Sequence, residues 1–320
     1  MVTTTKTRSA KSKSPYLSND ERATMGRALR DRVPRSSHAG WRPAKNRSDP
    51  VTLLINSNIG RMEELVPIRF GRMSESPFAF YRGSAAIMAC DLANTPSSGL
   101  RVQACGDAHL MNFGGFATPE RNIIFDINDL DETLPAPFEW DLKRLAASVV
   151  IAAKYLDIPM SNSARLVTDL VREYRERMID YSSMRALDIW YDKIDLKQYT
   201  DRMGDHDVVK EVKKRLKHRI EIEKSKSVPE FLYPKLVTHH GLKPMIKDEP
   251  PLIFHPTAKQ APGVVNGYAT VIDEYRKTLP DHLRILFDRF HYFDLAIKVV
   301  GVGSVGTMCG VMLLLSLIHI

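Results

Sequence analysis

Two polar clusters separated by a short apolar stretch constrain the fold of this chain more than any other feature of its sequence. The first cluster is GDAHLMN at residues 106–112, and the second is DINDLD at residues 126–131. The residues between them predict a β-hairpin, with strands over 112–116 and 123–127 and turn-forming residues over 118–122. Because a hairpin brings its two ends together, we expect the two polar clusters to meet in space.

The two clusters carry the side chains that phosphoryl transfer requires. Asp107 is assigned as the carboxylate beside the attacking hydroxyl, and Gly106 lets the backbone turn tightly before it. Asn112 and either Asp129 or Asp126 are assigned as Mg²⁺ ligands, because this ion combines a few protein oxygens with substrate phosphates. The alternative is that these residues cap a turn and line a solvated loop without any ligand.

Three other side chains are assigned to supporting roles at this site. His109 is counted with Asp107 among the catalytic residues, although we expect it to orient Asp107 or bond a backbone carbonyl rather than act as a base. Arg82 could bind a phosphate or pair with a buried carboxylate, Glu139 or Asp141. The ion pair is favoured, because buried ion pairs can support a catalytic loop. Arg82 and Asp141 are therefore assigned as structural support.

Six stretches within residues 17–310 resemble the bacterial domain of unknown function 2252. They are PRSSH at 34–38, LVPIR at 65–69, SPFAFYRG at 76–83, CGDAHL at 105–110, FEWDLKRL at 138–145 and VVGVGSVGT at 299–307. The catalytic-loop motif of that family resembles the one in aminoglycoside phosphotransferases and other kinase-like enzymes. That resemblance implies ATP and Mg²⁺ as cofactors. It also implies a further Asp near the start of a helix, where Asp141 fits, and its spacing favours Asp129 over Asp126 as the metal ligand.

A second motif, GVGSVG at 301–306, matches the pattern G-x-G-x-x-G. Apolar residues on both sides predict a strand, a glycine turn and a second strand, as in a kinase phosphate loop. A dinucleotide-binding fold would require a helix after the glycines. Gly301, Gly303, Ser304 and Gly306 are therefore assigned to the phosphates of ATP. The alternative is a buried glycine-rich hairpin without a ligand.

The order of the two motifs is the reverse of that in ordinary kinases, where the glycine loop comes first. We therefore expect an α+β, kinase-like fold that is circularly permuted, with a mostly helical lobe around the active-site hairpin. Three regions are expected: a disordered basic arm over 1–19, a catalytic-type lobe over 20–298 with the metal-site hairpin at 106–131, and the start of a nucleotide lobe over 299–320. Periodicity predicts helices over 142–156, 162–178, 184–191, 208–222, 267–278 and 281–299, and an irregular stretch over 229–262.

The end of the sequence departs from the kinase pattern. A kinase-like enzyme carries a Lys on a strand after its glycine loop, and residues 307–320 contain no Lys. The last six residues, LSLIHI, resemble translated sequencing-adapter sequence. We therefore expect a chain that is truncated within its nucleotide lobe and does not turn over ATP.

The basic character of the chain is confined to its N-terminal part. Residues 1–47 contain 12 Lys or Arg and 3 Asp or Glu, a charge of +9, whereas the whole chain carries +8 and the remainder therefore −1. No aromatic interleaving, zinc-ligand spacing or recognition helix accompanies this charge, so a solvated tail is favoured over a nucleic-acid contact. Residues 299–320 lack charged side chains over a bilayer-spanning length, but four glycines argue against a membrane helix.

The sequence thus favours a cytoplasmic protein that transfers a phosphoryl or nucleotidyl group from ATP to an unidentified small-molecule or protein acceptor. Three cysteines without zinc-ligand spacing indicate a reducing compartment, and no signal-peptide pattern is visible. Two alternatives remain open. One is a nucleotide-binding or scaffold protein without turnover, and the other is a nucleic-acid-binding protein that uses the basic arm.

Overall fold

The computed structural model of the protein describes residues 17–120, 122–204, 207–226, 235–241, 243–257, 260 and 267–316. Within these ranges the chain forms twelve α-helices and ten short strands, and the sheets are small and antiparallel. The expected mixture of helices with antiparallel strands is therefore confirmed.

The helices and strands are numbered here in chain order. The helices are α1 (Asn19–Arg32), α2 (Pro50–Asn56), α3 (Val66–Ser74), α4 (Pro77–Arg82), α5 (Ala85–Leu92), α6 (Phe138–Tyr155), α7 (Met160–Ser183), α8 (Ala186–Tyr191), α9 (Leu196–Arg202), α10 (Asp207–Lys226), α11 (Tyr268–Thr278) and α12 (Asp281–Phe287). The strands are β1 (Arg101–Ala104), β2 (Phe113–Ala117), β3 (Ile123–Ile127), β4 (Leu134–Pro137), β5 (Ile194–Asp195), β6 (Val237–His240), β7 (Lys243–Ile246), β8 (Ile253–Phe254), β9 (Phe290–Lys298) and β10 (Gly310–Ser316).

The antiparallel pair β1 and β4 closes the base of the segment that carries both polar clusters. Ala104 lies opposite Leu134, so residues 105–133 leave and return at the same place. Helix α6 begins directly after β4. Its first turn carries Glu139 and Asp141, whose negative charges are favourable at a helix N-terminus. The segment is thus held between a strand pair and the start of a long helix.

The predicted hairpin is present within this segment. Strands β2 and β3 pair antiparallel with Phe113 opposite Ile127, and the Thr118 amide donates to the Asn122 carbonyl at 2.8 Å to close the turn. Strand β5 adds to β3, and helices α9 and α10 pack against the hairpin. The two ends of the hairpin therefore lie side by side, as the sequence predicted.

A second three-stranded sheet has the order β10–β9–β8, and the β6–β7 hairpin packs beside it. Residues 299–309, here called the glycine connection, join β9 to β10. The predicted order of strand, glycine turn and strand is therefore confirmed. The core of this sheet is formed by Val237, Ile246, Ile253, Ala296, Leu313 and Leu315.

Two valines anchor the glycine connection to the helical part of the protein. Val302 is buried in an apolar cluster with residues of α2, α3 and α5, and Val305 is buried with Leu65. Gly301 and Gly306 have φ angles of 65° and 89°, a left-handed conformation that strongly favours glycine. The motif glycines therefore turn the backbone while the valines between them fix it in place.

Two predicted elements differ from the structure. The sequence predicted one helix over 281–299, but α12 ends at Phe287 and β9 begins at Phe290. Residues 290–298 pair with both β10 and β8, and this sheet context overrides an apolar pattern that also fits a helix. The stretch 229–262, predicted to be irregular, contains β6, β7 and β8 among its described residues, strands too short to show a clear period.

The two chain ends are described in part. Residues 1–16 of the predicted arm and residues 317–320 lie outside the described residues. Ser18 and Glu21 form a capping box that starts α1, so the residues after 16 lead into a helix. Among the helices that the structure describes, none is long and apolar enough to cross a membrane.

Candidate active site

One face of α6 holds the backbone of the loop that follows β1. The Asp141 carboxylate accepts hydrogen bonds from the amides of Cys105 and Gly106, at 2.7 and 3.0 Å. Seven residues further along the helix, the fully buried Ser148 hydroxyl accepts from the Leu110 amide at 2.9 Å. Residues at this separation share a helix face. Helix α6 therefore fixes the loop near both of its ends.

The buried carboxylate of Asp107 is held by Arg144, which lies on the same helix face. The Nε of Arg144 donates to Oδ1 of Asp107 at 2.6 Å, and its Nη2 pairs with the same oxygen. The Arg144 guanidinium lies 4.4 Å from the centre of the Tyr81 ring and donates to the Tyr81 carbonyl at 2.9 Å. Because both Arg144 contacts go to Oδ1, the other oxygen of Asp107 is left for a different partner.

His109 lies on the side of that second oxygen. Its Nε2 is 3.6 Å from Oδ2 of Asp107, and its ring meets Phe78 edge-on at 6.2 Å between centres. Burial lowers the pKa of His109, the negative charge of Asp107 opposes this effect, and the charges of Arg82 and Arg144 add to it. A neutral imidazole follows at neutral pH, and it faces Asp107 without a hydrogen bond to it.

Asn112 joins the two polar clusters. Its Nδ2 donates to the backbone carbonyl of Asp107 at 3.1 Å and to that of Asp129 at 2.9 Å. Its own carbonyl accepts from the Asn128 amide at 2.9 Å. Oδ1 of Asn112 accepts no hydrogen bond from the residues that the structure describes. The side chain is therefore fixed through its nitrogen, and its oxygen is available.

The two acidic candidates of the second cluster have different surroundings. Asp129 follows β3, touches Asn112 through its backbone and keeps an exposed side chain, whose Oδ1 accepts from the Asp131 amide at 3.2 Å. Asp126 lies within β3, and its Oδ1 accepts from the adjacent amide of Ile127 at 2.8 Å. The structure therefore brings Asp129, and not Asp126, into direct contact with Asn112.

Glu132 is an acidic residue near the site that the sequence assignment omitted. The closure of β1 on β4 places its backbone against Gly106, which has a φ of 80°. Although part of the residue is exposed, desolvation of the carboxyl raises the pKa of Glu132, and the charges of Asp107 and Asp129 raise it further. Its position directly after the second polar cluster, two residues before β4 begins, was the sequence signal that could have identified it.

Arg82 does not form the ion pair that the sequence favoured. Neither Glu139 nor Asp141 pairs with it, because Glu139 accepts from the Ser98 amide at 2.7 Å and Asp141 is bound to the amides of the loop. The buried Nε of Arg82 has no hydrogen-bond partner among the described residues. The ion pair that supports the loop is instead formed by Arg144 with Asp107. The spacing of Asp141, Arg144 and Ser148 places these residues on one helix face, and this pattern in the sequence could have indicated the role of Arg144.

Two arginines, Arg82 and Arg61, contact the glycine connection and also lie near charged groups of this loop. The Arg82 carbonyl lies 3.3 Å from the position that a Cβ at Gly303 would take, and the Arg82 guanidinium is close enough to lower the pKa of His109. Arg61 donates to the Val305 carbonyl at 2.6 Å, and the charge of Glu132 acts on its pKa. The two motifs identified from the sequence are therefore neighbours.

Two of the glycines assigned to phosphates, Gly301 and Gly306, accept hydrogen bonds at their carbonyl groups. Arg72 donates to the Gly301 carbonyl at 2.6 Å, and the Met62 amide donates to the Gly306 carbonyl at 2.8 Å. The Ser304 carbonyl accepts from the Thr307 amide at 3.0 Å. Protein donors thus occupy the carbonyls of Gly301, Ser304 and Gly306.

The fold and the site together define the class of this protein. It combines α-helices with small antiparallel sheets, and a loop with a buried Asp107 is hydrogen-bonded to the long helix α6. The chain belongs to the family DUF2252, described as an uncharacterized protein conserved in bacteria, whose sequence model matches residues 61–319. No curated protein and no solved structure matches the chain. The matched range contains both motifs.

Proposed function

We propose that this protein binds ATP with Mg²⁺ and transfers a phosphoryl group to an acceptor positioned at Asp107. The observation that carries the proposal is the side chain of Asn112. Its nitrogen ties the Asp107 loop to Asp129, and its oxygen is left without a donor. An available amide oxygen and an exposed carboxylate thus lie next to a buried carboxylate, and these are the three groups that phosphoryl transfer uses.

The residues fit a Mg²⁺ ion that depends on its substrate for most of its ligands. Within the described parts of the chain, no three His, Cys, Asp or Glu residues are grouped to hold a metal by themselves. Mg²⁺ at phosphoryl-transfer sites needs one or two carboxylates and takes its other ligands from phosphates and water. Asn112 and Asp129 would hold the ion, which when bound neutralises charge on the phosphates.

Asp107 is proposed to orient the acceptor. Arg144 occupies its Oδ1, which leaves Oδ2 to accept a hydrogen bond from an acceptor hydroxyl. Asp107 takes the proton of that hydroxyl as the new oxygen–phosphorus bond forms and the bond to the leaving diphosphate breaks. His109, which lies against the same Oδ2, restricts the direction from which the hydroxyl approaches.

A kinase-like relation between the glycine connection and the Asp107 loop is part of the proposal. It is supported by the order of strand, glycine turn and strand, and by the position of Arg82 between the connection and His109. The inverted order along the chain is consistent with a circular permutation, which is tolerated where connections lie at the surface.

Thermal unfolding with ATP and Mg²⁺ or Mn²⁺ tests the binding step. A ligand that binds the native state stabilises it by about 2.7 kcal/mol at a hundredfold excess over Kd. We expect a rise in Tm for the wild type and for the control Asp126→Ala, and none for Asn112→Ala or Asp129→Ala. A rise that is lost in Asp126→Ala and kept in Asp129→Ala would show that the ligand assignment is wrong.

Product analysis with a panel of hydroxyl acceptors tests the chemistry. The side chains proposed to act, Asp107, Asn112 and Asp129, all lie among the described residues, so the proposal replaces the expectation that the chain does not turn over ATP. We expect ADP and a phosphorylated acceptor from the wild type and neither from Asp107→Asn, which keeps the shape of the side chain without its charge. Release of pyrophosphate would indicate nucleotidyl transfer instead. ATP binding without any product would favour a nucleotide-binding protein without turnover.

A further inference from the structure

Four arginines next to the glycine connection have no carboxylate partner. They are Arg61, Arg69, Arg72 and Arg82. None of the four forms an ion pair with an Asp or Glu of the described residues, whereas arginines elsewhere in the chain do. Positive charges withdrawn from water without a counter-charge are unfavourable, so the region is suited to an anion.

Arg69 braces this region and is not itself a free ligand-binding group. It is 2% exposed, donates to the Ser57 hydroxyl at 2.9 Å and to the Gly83 carbonyl at 3.3 Å. Burial lowers the pKa of Arg69 to about 10, and the charge of Arg61 adds to this effect. The remaining three arginines are only partly buried, so their guanidinium groups can meet a ligand.

Among these four arginines, Arg82 has the most unused donors, since the other three donate to carbonyl or side-chain oxygens. Its guanidinium makes no hydrogen bond to the described part of the chain, and its buried Nε lacks a partner. Its carbonyl backs onto Gly303, and its charge acts on His109. Arg82 thus contacts the glycine connection through its backbone and carries, near the Asp107 loop, a guanidinium without a hydrogen bond to the described residues.

The backbone of the glycine connection offers donors on the same segment. Arg72 and Arg61 donate to the carbonyls of Gly301 and Val305 within it. The amide N–H groups of Gly301, Gly303 and Ser304 donate to no acceptor among the residues described. Successive unpaired amides in a glycine-rich turn form a concave site that suits an anion.

We infer that Arg61, Arg72 and Arg82, with the amides of the glycine connection, bind a linear oligophosphate. The ligand is the phosphate chain of a nucleoside triphosphate or a free oligophosphate, because two guanidinium groups bonded to one short segment, with Arg82 beside it, can bind more than one phosphate. Guanidinium groups suit phosphate geometry, and β10 carries no Lys for the same task. This inference rests on the proposed function, since it names the groups that hold the phosphates of its nucleotide.

Isothermal titration of the full chain with tripolyphosphate, in EDTA, tests the inference without a metal. Arg82→Gln and Arg72→Gln are each expected to weaken binding roughly tenfold or more, the loss typical of a charge-assisted hydrogen bond. Arg82→Lys should lie between the wild type and Arg82→Gln, because it keeps the charge. Arg185→Gln, which removes an exposed arginine paired with Asp188, is the matched control and should bind like the wild type.

Three results of binding measurements would overturn the inference. They are no binding by the wild type, equal affinities for Arg82→Gln and Arg185→Gln, and Arg82-dependent binding of a single-stranded oligonucleotide in the absence of tripolyphosphate binding. Competition with metal-free ATP identifies the source. Displacement of tripolyphosphate by ATP supports a nucleotide site, and lack of displacement supports a site for free oligophosphates.

Failure of this site and failure of the proposed function give different results. Asn112→Ala and Asp129→Ala should keep metal-free tripolyphosphate binding, because neither side chain belongs to the arginine group. Arginine-dependent tripolyphosphate binding without any ATP-dependent product would reject the proposed function and support the oligophosphate site. ATP turnover that is unchanged in Arg82→Gln would reject the site and support the function.

Discussion

Arg144 and Asp107 form a buried ion pair in which both guanidinium contacts, one of them at 2.6 Å, go to a single carboxylate oxygen. The pair joins the middle of α6 to the loop that follows β1. It also divides the carboxylate into a held oxygen and an available one. The loop therefore gains a fixed geometry and keeps one acceptor directed elsewhere.

Replacing Arg144 by Met is expected to lower the free energy of unfolding by about 3–5 kcal/mol. The substitution leaves the Asp107 charge buried without a partner, and unpaired buried charges are strongly destabilising. Urea denaturation measures the change. Arg185→Met removes an arginine of an exposed pair and should change stability by less than about 1 kcal/mol. Equal effects of the two substitutions would show that the Arg144 pair is not structural.

Asp141→Ala is expected to lower stability by roughly 2–3 kcal/mol and to speed hydrogen exchange at the Cys105 and Gly106 amides. Both amides donate to this carboxylate, and bonds to charged groups are among the stronger ones. Hydrogen exchange followed by NMR measures the local effect. Glu173→Ala, on an exposed part of α7, should leave both amides protected and stability within about 0.5 kcal/mol.

Gly106 and Gly60 provide a matched pair for substitution by Ala. Their φ angles are 80° and 81°, so the conformational cost of a side chain is similar, about 1 kcal/mol. A Cβ at Gly106 would collide with the Glu132 carbonyl, whereas nothing lies within 4 Å of a Cβ at Gly60. We expect Gly106→Ala to cost roughly 1–3 kcal/mol more than Gly60→Ala in denaturant unfolding. Equal costs would contradict the close contact.

The contacts of His255 with two carboxylates should contribute more to the free energy of unfolding at low pH than at high pH. Its Nδ1 lies 2.9 Å from Asp248 and its Nε2 lies 2.9 Å from Asp294. Desolvation opposes protonation, but the bonds to Asp294 and Asp248 outweigh it and raise the pKa of His255. A histidine whose pKa is raised by folding contributes its full stabilisation at a pH below the pKa of the unfolded state, which is near 6.5. This stabilisation is lost as the pH rises through the pKa of the folded state.

The comparison of wild type with His255→Gln isolates this effect. The difference in unfolding free energy between the two proteins should be larger at about pH 5.5 than at about pH 9. This difference should decline as the pH rises above the pKa of the unfolded state. Asp248→Asn removes one of the two carboxylates and should reduce the pH dependence. A difference that stays constant or grows with pH would contradict the assignment.

The sequence alone predicted the hairpin that carries the polar clusters and the glycine turn between two strands. These features depend on local signals. The signals are turn-forming residues around 118–122, flanking segments rich in residues that favour strands, and glycines where the backbone needs a positive φ. The sequence also marked Asp107, Asn112 and Asp129. The residue types alone left Asp126 and Asp129 open, and only the family resemblance favoured Asp129. The contact of Asn112 with the Asp129 backbone depends on where β3 ends, which the sequence did not define.

Tertiary structure decided the partners of these residues. Whether Arg82 or Arg144 supports Asp107 depends on how α6 packs on the loop, and no local pattern encodes the distance between two elements. The helix predicted over 281–299 became α12 and β9, because residues 290–298 find hydrogen-bond partners on two neighbouring strands. The tertiary structure also showed that the arginines around the glycine connection have no carboxylate partner among the described residues. The sequence could not show this, because whether two charged side chains pair depends on their distance in the folded protein.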